Sequence, residues 1–176
     1  MRSGKFRKDN FNFDVKEAIE EIMSIQRLKA DFCGIHLSSE MINFPLKSGV
    51  DQIVSISAVD EDMIDYVVCS DMQRLQQVIL NLMSNALKFT QTGGFVKIIC
   101  TYVNSLTDLV HREHHKYLLN SRGHGMIQVS VQDSGIGIKK EDQDKLFKLF
   151  GFLDTSKEMN TKGVGLGLHI SQRITQ

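Results

Sequence analysis

The sequence predicts one α/β domain, and three observations predict it. Short runs rich in β-branched and aromatic residues alternate with longer stretches whose apolar residues recur every three or four positions. At 176 residues the chain fits one ordinary domain with a sizeable core, and its composition, 41% apolar and 24% charged, is globular. No internal repeat, low-complexity tract or linker divides it.

The first helix is expected over 14–30. Asp14 with Glu17 three residues later forms a capping box, and Val15, Ala18, Ile19, Ile22, Ile25 and Leu28 follow at helical spacing. Residues 35–41 read as a strand, 45–52 as a loop, and 53–58 and 65–69 as two further strands. Ser70 or Asp71 then caps a long helix to about Phe89, closed by the turn signal Thr92-Gly93-Gly94. Strands are expected over 95–103 and 126–133. The polar stretch 104–125 between them is too long for a tight hairpin and reads as a surface insertion. A short helix over 140–150, a loop over 151–162 and a closing helix over 166–175 complete the order.

Charge and cysteine content narrow the classes of function. The 21 basic and 21 acidic residues cancel, so nothing advertises a nucleic-acid partner. Cys33, Cys69 and Cys100 are odd in number and lie in or beside apolar runs, which suits buried thiols in a reducing, intracellular compartment. No run approaches the roughly 18 apolar residues of a membrane span, and the first residues lack the apolar core of a signal peptide. Direct membrane contact by this chain is not expected.

Three motifs carry chemistry. In NLMSNALKFT (81–90), Asn81, Asn85 and Lys88 fall within an arc of roughly 60° on the helix, beside a stripe of Leu75, Val78, Ile79, Leu82, Ala86 and Phe89. Asparagine is a mediocre interior helix residue, so a pair one turn apart has no local reason. An amide carbonyl is a hard, neutral oxygen suited to Mg²⁺ whose charge is met mostly by phosphates, with Lys88 close enough to touch a phosphate. For the helix taken alone, a solvated face is the better explanation of the pair.

In DSGIG (133–137), Asp133 ends an apolar strand, and Gly135 and Gly137 let the backbone approach a flat ligand. A buried carboxylate here would accept a hydrogen bond from the exocyclic amine of adenine; the competing reading is a plain strand-ending turn. In GVGLG (163–167), glycines at a helix entry expose N–H groups toward phosphate. The spacing is neither the dinucleotide fingerprint nor a Walker A loop.

These residues closely resemble the catalytic and ATP-binding domain of sensor histidine kinases, within the superfamily of gyrase, the Hsp90 chaperones and mismatch-repair ATPases. Asp71, Arg74, Leu75, Gln77 and NLMSNALKFT resemble its N box, DSGIGI its G1 box, LFKLF (146–150) its F box and KGVGLGLHIS its G2 box, in family order from about Phe11 onward. The segment between the last two boxes resembles that of eukaryotic, ciliate-like hybrid kinases.

The resemblance implies a Bergerat ATP-binding fold: a two-layer α/β sandwich with a mixed, mostly antiparallel sheet on one layer of helices. It also implies residues 1–10 as the tail of an upstream phosphoacceptor hairpin, 11–176 as the catalytic domain, and a C-terminal hairpin missing from the sheet. ATP and Mg²⁺ are the implied ligands. Asn85 corresponds to the Mg²⁺ ligand, Asn81 and Lys88 to phosphate or metal-shell contacts, and Asp133 to the adenine reader with Gly135, Gly137 and Ile138 beneath the base. Lys162, Gly163, Val164, Gly165, Leu166, Gly167 and Leu168 correspond to the phosphate side, and Phe147 and Phe150 to lid anchors. The chain departs from the pattern at Phe152, Met159 and Lys162, where a glutamine, a lid arginine and a glycine are usual; Lys157 or Lys162 could supply the lost charge.

The hydrolysing members have a glutamate where this chain has Asn81, and an amide is no general base at neutral pH. The implied reaction is therefore γ-phosphoryl transfer to a histidine on a separate helical hairpin. None of His36, His111, His114, His115, His124 or His169 has the His-Glu-x-Arg-Thr-Pro-like surroundings of that acceptor. The implied partners are an upstream dimerisation and histidine-phosphotransfer domain and a downstream response regulator receiver domain, within a homodimeric parent. The alternatives are a catalytically silent nucleotide-binding module and a superfamily ATPase. His111, Glu113, His114 and His115 lack the spacing of a good metal site, and the eight methionines read as packing.

Overall fold

In the computed structural model, which describes residues 8–47, 60–103, 125–143, 146–147 and 166–175, Asp14 ends strand β1 (Phe11–Asp14) and caps helix α1 (Val15–Cys33). Its Oδ1 accepts from the N–H groups of Lys16 and Glu17 at 2.8 and 3.1 Å, satisfying two of the helix's orphan donors. The helix runs three residues past the expected end because Gly34, at φ 65°, closes it. Ile35 N–H reaches the Ala30 carbonyl at 2.9 Å and Ile35 itself is buried, the hydrogen bond and apolar contact of a Schellman motif. Val15, Ala18, Ile19, Ile22, Met23 and Ala30 face the core. Ile25 and Leu28, expected on that face, are 65% and 83% exposed, as is Phe32 at 93%. At 100° per residue these three form their own stripe, on the side of α1 turned away from the sheet.

Strand β2 (His36–Ile42) begins one residue later than expected and pairs in parallel with β4 (Phe95–Val103). The start of this pairing is set by two turns that grip each other: Gly93 N–H bonds the Gly34 carbonyl and His36 N–H bonds the Gly94 carbonyl, each at 2.8 Å. Strand β5 (Met126–Asp133) pairs antiparallel with β4, giving the order β2-β4-β5. A separate antiparallel pair joins β1 to β3 (Val67–Ser70), preceded by a 3₁₀ turn at Glu61–Met63. The sheets are thus mixed and mostly antiparallel, with helices against them, as expected. Of the expected elements, the 53–58 strand, the 104–124 part of the insertion and the 151–162 loop lie outside the described residues.

Helix α2 (Met72–Phe89) is capped by Asp71, whose Oδ1 accepts from Arg74 N–H at 3.1 Å. That hydrogen bond, with one from Asp9 N–H, holds the Asp71 carboxyl below its ordinary range. Its buried residues are Ile79, Met83, Ala86 and Leu87. This arc is turned by roughly 60–80° from the expected stripe. Val78, Leu82 and Phe89 fall between the buried arc and the amide face and are only half-buried. The apolar band is broader than the sheet contact, and its surplus borders the polar face.

The expected 140–150 helix is described only as α3 (Lys140–Gln143) and a turn at Leu146 and Phe147. Helix α4 (Gly167–Thr175) begins one residue later than expected and packs on α2. The core joins Ile19, Ile22, Ile79, Met83, Ile98 and Cys100, so α1 and α2 cover β4. The cysteines differ from expectation: Cys100 is buried, Cys33 half-buried and Cys69 exposed on β3, all free thiols.

Candidate functional site

Helix α2 collects the described parts of all three motifs. At its C-terminal end the Asp133–Gly137 turn lies against the last turn of the helix: Ile136 N–H bonds the Phe89 carbonyl at 3.2 Å. A Cβ on Gly135 would lie 2.6 Å from that same carbonyl oxygen, so this glycine is required by protein packing, where the sequence suggested approach to a ligand. Gly137 differs, with φ 68° and nothing within 4 Å of an added Cβ. Asp133 is exposed at the strand end, where a buried carboxylate was expected, and its Oδ1 accepts from Gly135 N–H at 2.9 Å. The side chain is therefore held in a set direction while open to an incoming donor. Ile136, Gly137, Ile138 and Lys139 line an open concavity beside it.

About 12 Å back along α2, at 1.5 Å per residue, Asn81 meets α4. Its Nδ2 donates to Ser171 Oγ at 2.9 Å, and an ideal Cβ on Gly167 would overlap its amide. Asn85 and Lys88 follow one and two turns later on the same face, both half-buried, and the Lys88 ammonium lies 5.2 Å from the Phe89 ring centroid. Phe147, exposed at 45%, accepts through its carbonyl from His169 Nδ1 at 2.9 Å, which ties the F-box segment to α4. Leu166, Gly167 and Leu168 are at the entry of α4. Phe150, Lys162, Gly163, Val164 and Gly165, with Phe152, Lys157 and Met159, lie outside the described residues.

Thr90 caps the C-terminal end of α2, beside the Asp133–Gly137 turn. It is 8% exposed, and its Oγ1 has no hydrogen-bond partner among the described residues. Its methyl faces Gly94, where a Cβ would lie 2.6 Å away. Ser171, His169 and Thr90 were not singled out by sequence reasoning. Ser171 could have been: it stands four residues after Gly167, on the same face of α4.

These residues fit an adenine nucleotide with its metal. The donor set along α2 is two amides and an ammonium, and among the described residues no group of three His, Cys, Asp or Glu side chains gathers to hold a metal by itself. That suits Mg²⁺ bound mainly by phosphates and water with a neutral oxygen added. The close packing at Gly167 sets the first, orphan N–H groups of α4 beside the amide face, where phosphate oxygens would be accepted.

A sheet backed by helices, with one amide-bearing helix that meets a glycine turn at its C-terminal end and the glycine entry of α4 at mid-length, defines an ATP-binding domain of the histidine kinase type. The chain belongs to the family described as histidine kinase-, DNA gyrase B- and HSP90-like ATPase, which matches residues 70–176. It is 29% identical over its whole length to hybrid signal transduction histidine kinase K of Dictyostelium discoideum, covering 12% of that protein. It is 32% identical over 174 residues, 99% of this chain, to signal transduction histidine-protein kinase BarA of Escherichia coli K12, covering 15% of it. The catalytic domain of histidine kinase ThkA superposes with a TM-score of 0.60 at 25% identity, over 94% of this chain and 80% of that one. The chain thus spans only a small part of the curated relatives it matches. Among the described residues no helix is long and apolar enough to cross a membrane.

Proposed function

We propose that this chain binds Mg-ATP and positions its γ-phosphoryl group for transfer to a histidine on a separate helical-hairpin domain of the parent protein. The observation that carries this reading is α2 itself: one helix presents Asn81, Asn85 and Lys88 on a single face, with the Asp133 turn held at its C-terminal end and the entry of α4 against Asn81 at mid-helix. Asp133 accepts from the adenine amine, and Gly137 and Ile138 border the base. Asn85 gives its amide oxygen to Mg²⁺, and Asn81, Lys88 and the entry of α4 contact phosphate. Asn85 would hold the metal through its amide oxygen, and the ion would supply charge neutralisation at the phosphates.

Asn81 decides the reaction class. An amide cannot take a proton from water, so the residues support positioning and charge neutralisation, and the nucleophile is an imidazole supplied from outside this chain. The phosphorus–oxygen bond to the β-phosphate breaks as the phosphorus–nitrogen bond forms, and ADP leaves. The kinase names of the relatives support this reading, and the word hybrid in one of them supports a receiver domain as the next acceptor. Residues 1–10 are proposed to lead from the acceptor hairpin, and the parent is proposed to be an intracellular homodimer.

Calorimetry with ATP and GTP, with and without Mg²⁺, tests the binding. ATP should bind with metal dependence and GTP weakly or not at all; Asp133→Asn, which replaces an acceptor with a group that also donates, should erode the preference. Equal affinity for the two nucleotides would remove Asp133 from its role. Incubation with γ-labelled ATP and the hairpin in trans should give acid-labile, base-stable label on the hairpin. Brisk phosphate release with no acceptor would instead make the chain an ATPase.

A further inference from the structure

Asn81 reaches two residues of α4 at once. Its Nδ2 donates to Ser171 Oγ at 2.9 Å, and its Oδ1 lies against Gly167, one turn earlier, so closely that a Cβ there would overlap it. Ser171 is 7% exposed and faces α2 from within the helix pair, so its hydroxyl has no role at the surface. A carboxamide has two chemically different ends: its oxygen accepts and can face a cation, whereas its NH₂ can only donate. With Nδ2 bonded to Ser171 and the amide confined by Gly167, the rotamer of Asn81 is set by α4.

We propose that Ser171 is a positioning residue: its buried hydroxyl fixes the amide of Asn81 for contact with the phosphate and metal end of the nucleotide, and so couples the seating of α4 on α2 to phosphate binding. This rests on the reading of Asn81 as a phosphate-side residue. Without the hydroxyl, Asn81 gains access to other staggered rotamers, and only a fraction of molecules present its amide in the right place. The base end is built from different residues: Asp133 is oriented by Gly135 N–H and its turn is anchored on the Phe89 carbonyl. Loss of the Ser171 hydroxyl should therefore weaken phosphate binding and leave base binding alone.

The experiment compares the full chain with Ser171→Ala, Ser171→Thr, Ser171→Val, Asn81→Ala and the Asn81→Ala/Ser171→Ala double variant. Affinities are read for Mg-AMPPNP by calorimetry and for adenosine by NMR titration, with thermal melts to establish that each variant is folded. Threonine and valine add the same volume and differ only in the hydroxyl, so this pair separates hydrogen bonding from packing. Ser171→Ala and Ser171→Val should weaken Mg-AMPPNP by about three- to tenfold, the range of one neutral hydrogen bond, with Ser171→Thr restoring most of it. Adenosine affinity should be unchanged throughout, and Ser171→Ala should add nothing in the Asn81→Ala background.

Equal loss in the threonine and valine variants, parallel loss of adenosine, an unaffected Ser171→Ala, or a full effect in the Asn81→Ala background would each overturn the proposal while leaving the nucleotide reading intact. If the unmodified chain binds neither Mg-AMPPNP nor adenosine, the nucleotide reading fails and takes this one with it. Should the valine variant not fold, the alanine and threonine pair carries the same comparison.

Discussion

The carbonyl oxygen of Phe89 occupies the space that a side chain on Gly135 would need, 2.6 Å from its ideal Cβ, while accepting the N–H of Ile136 at 3.2 Å. The end of α2 and the turn after β5 are thereby fitted backbone to backbone. The same added Cβ would stand 2.7 Å from Asp133 Oδ1, so Gly135→Ala should displace both the turn and the carboxylate that the turn orients. A cost of about 1–3 kcal/mol is expected from the overpacking, with weaker adenine-nucleotide binding beside it. Gly137→Ala meets open space and should cost only the backbone strain of φ 68°, roughly 1–2 kcal/mol. Denaturant melts and nucleotide titrations of the pair separate the two causes: Asp133-dependent binding should suffer more in the Gly135 variant.

The register of α1 gives a second test. Ile22 is 1% exposed and belongs to the core, whereas Leu28, six residues later on another face of the helix, is 83% exposed. Ile22→Ala should destabilise the chain by about 2–5 kcal/mol, since it removes apolar contacts and leaves a cavity. Leu28→Ala should change stability by no more than about 0.5 kcal/mol. Comparable losses in urea midpoints would mean that the outer stripe is covered in solution.

Most of the fold was legible because its signals are local. Asp14 and Asp71 could be read as caps, and the expected bounds of β4 and β5 agree with the structure because apolar alternation and flanking turn residues coincide there. What was not legible depends on tertiary contacts. The apolar period of α1 continues through Ile25 and Leu28, yet α2 and β2 pack on one side of the helix only, so burial follows the arc of Ile19, Ile22 and Met23. The motif glycines were legible as functional, but the reason for Gly135 was not, because Phe89 approaches it from another element. Asn81 could be singled out by its poor helix propensity; its partner Ser171 lies ninety positions away, in an ordinary helical setting.

Thr90 supplies a third prediction. A buried hydroxyl with no partner among the described residues carries its desolvation cost without return, about 1–3 kcal/mol. Thr90→Val keeps the shape and removes the hydroxyl, so the nucleotide-free chain should be as stable as the original or more so. If the hydroxyl serves the neighbouring adenine end through water, the same variant should bind ATP more weakly while melting higher. A variant that melts lower by more than about 1 kcal/mol would show that Oγ1 is already satisfied.

The last prediction concerns the thiols. Burial on β4 pushes Cys100 up to about 11, because the low-polarity core disfavours the thiolate, and the thiolate is the reactive form. At pH 8 an aromatic disulfide reagent should therefore modify exposed Cys69 first, half-buried Cys33 more slowly, and Cys100 only as fast as the chain unfolds. The sign of the linked stability follows from the same shift. An unfolded cysteine releases its proton near pH 8.5, whereas the folded one holds it to about 11, so over that window the folded state binds more protons and stability falls as pH rises. Tyr66, raised by its own burial, adds to the alkaline loss from about pH 10 upward. The Cys100 share is isolated by comparing pH-dependent melts of the original chain and Cys100→Val: the variant should lose less stability between pH 8.5 and 11. Parallel profiles, or labelling of Cys100 in the folded chain at the rate of Cys69, would place that thiol in contact with solvent and break the packing of β4 beneath α1 and α2 described above.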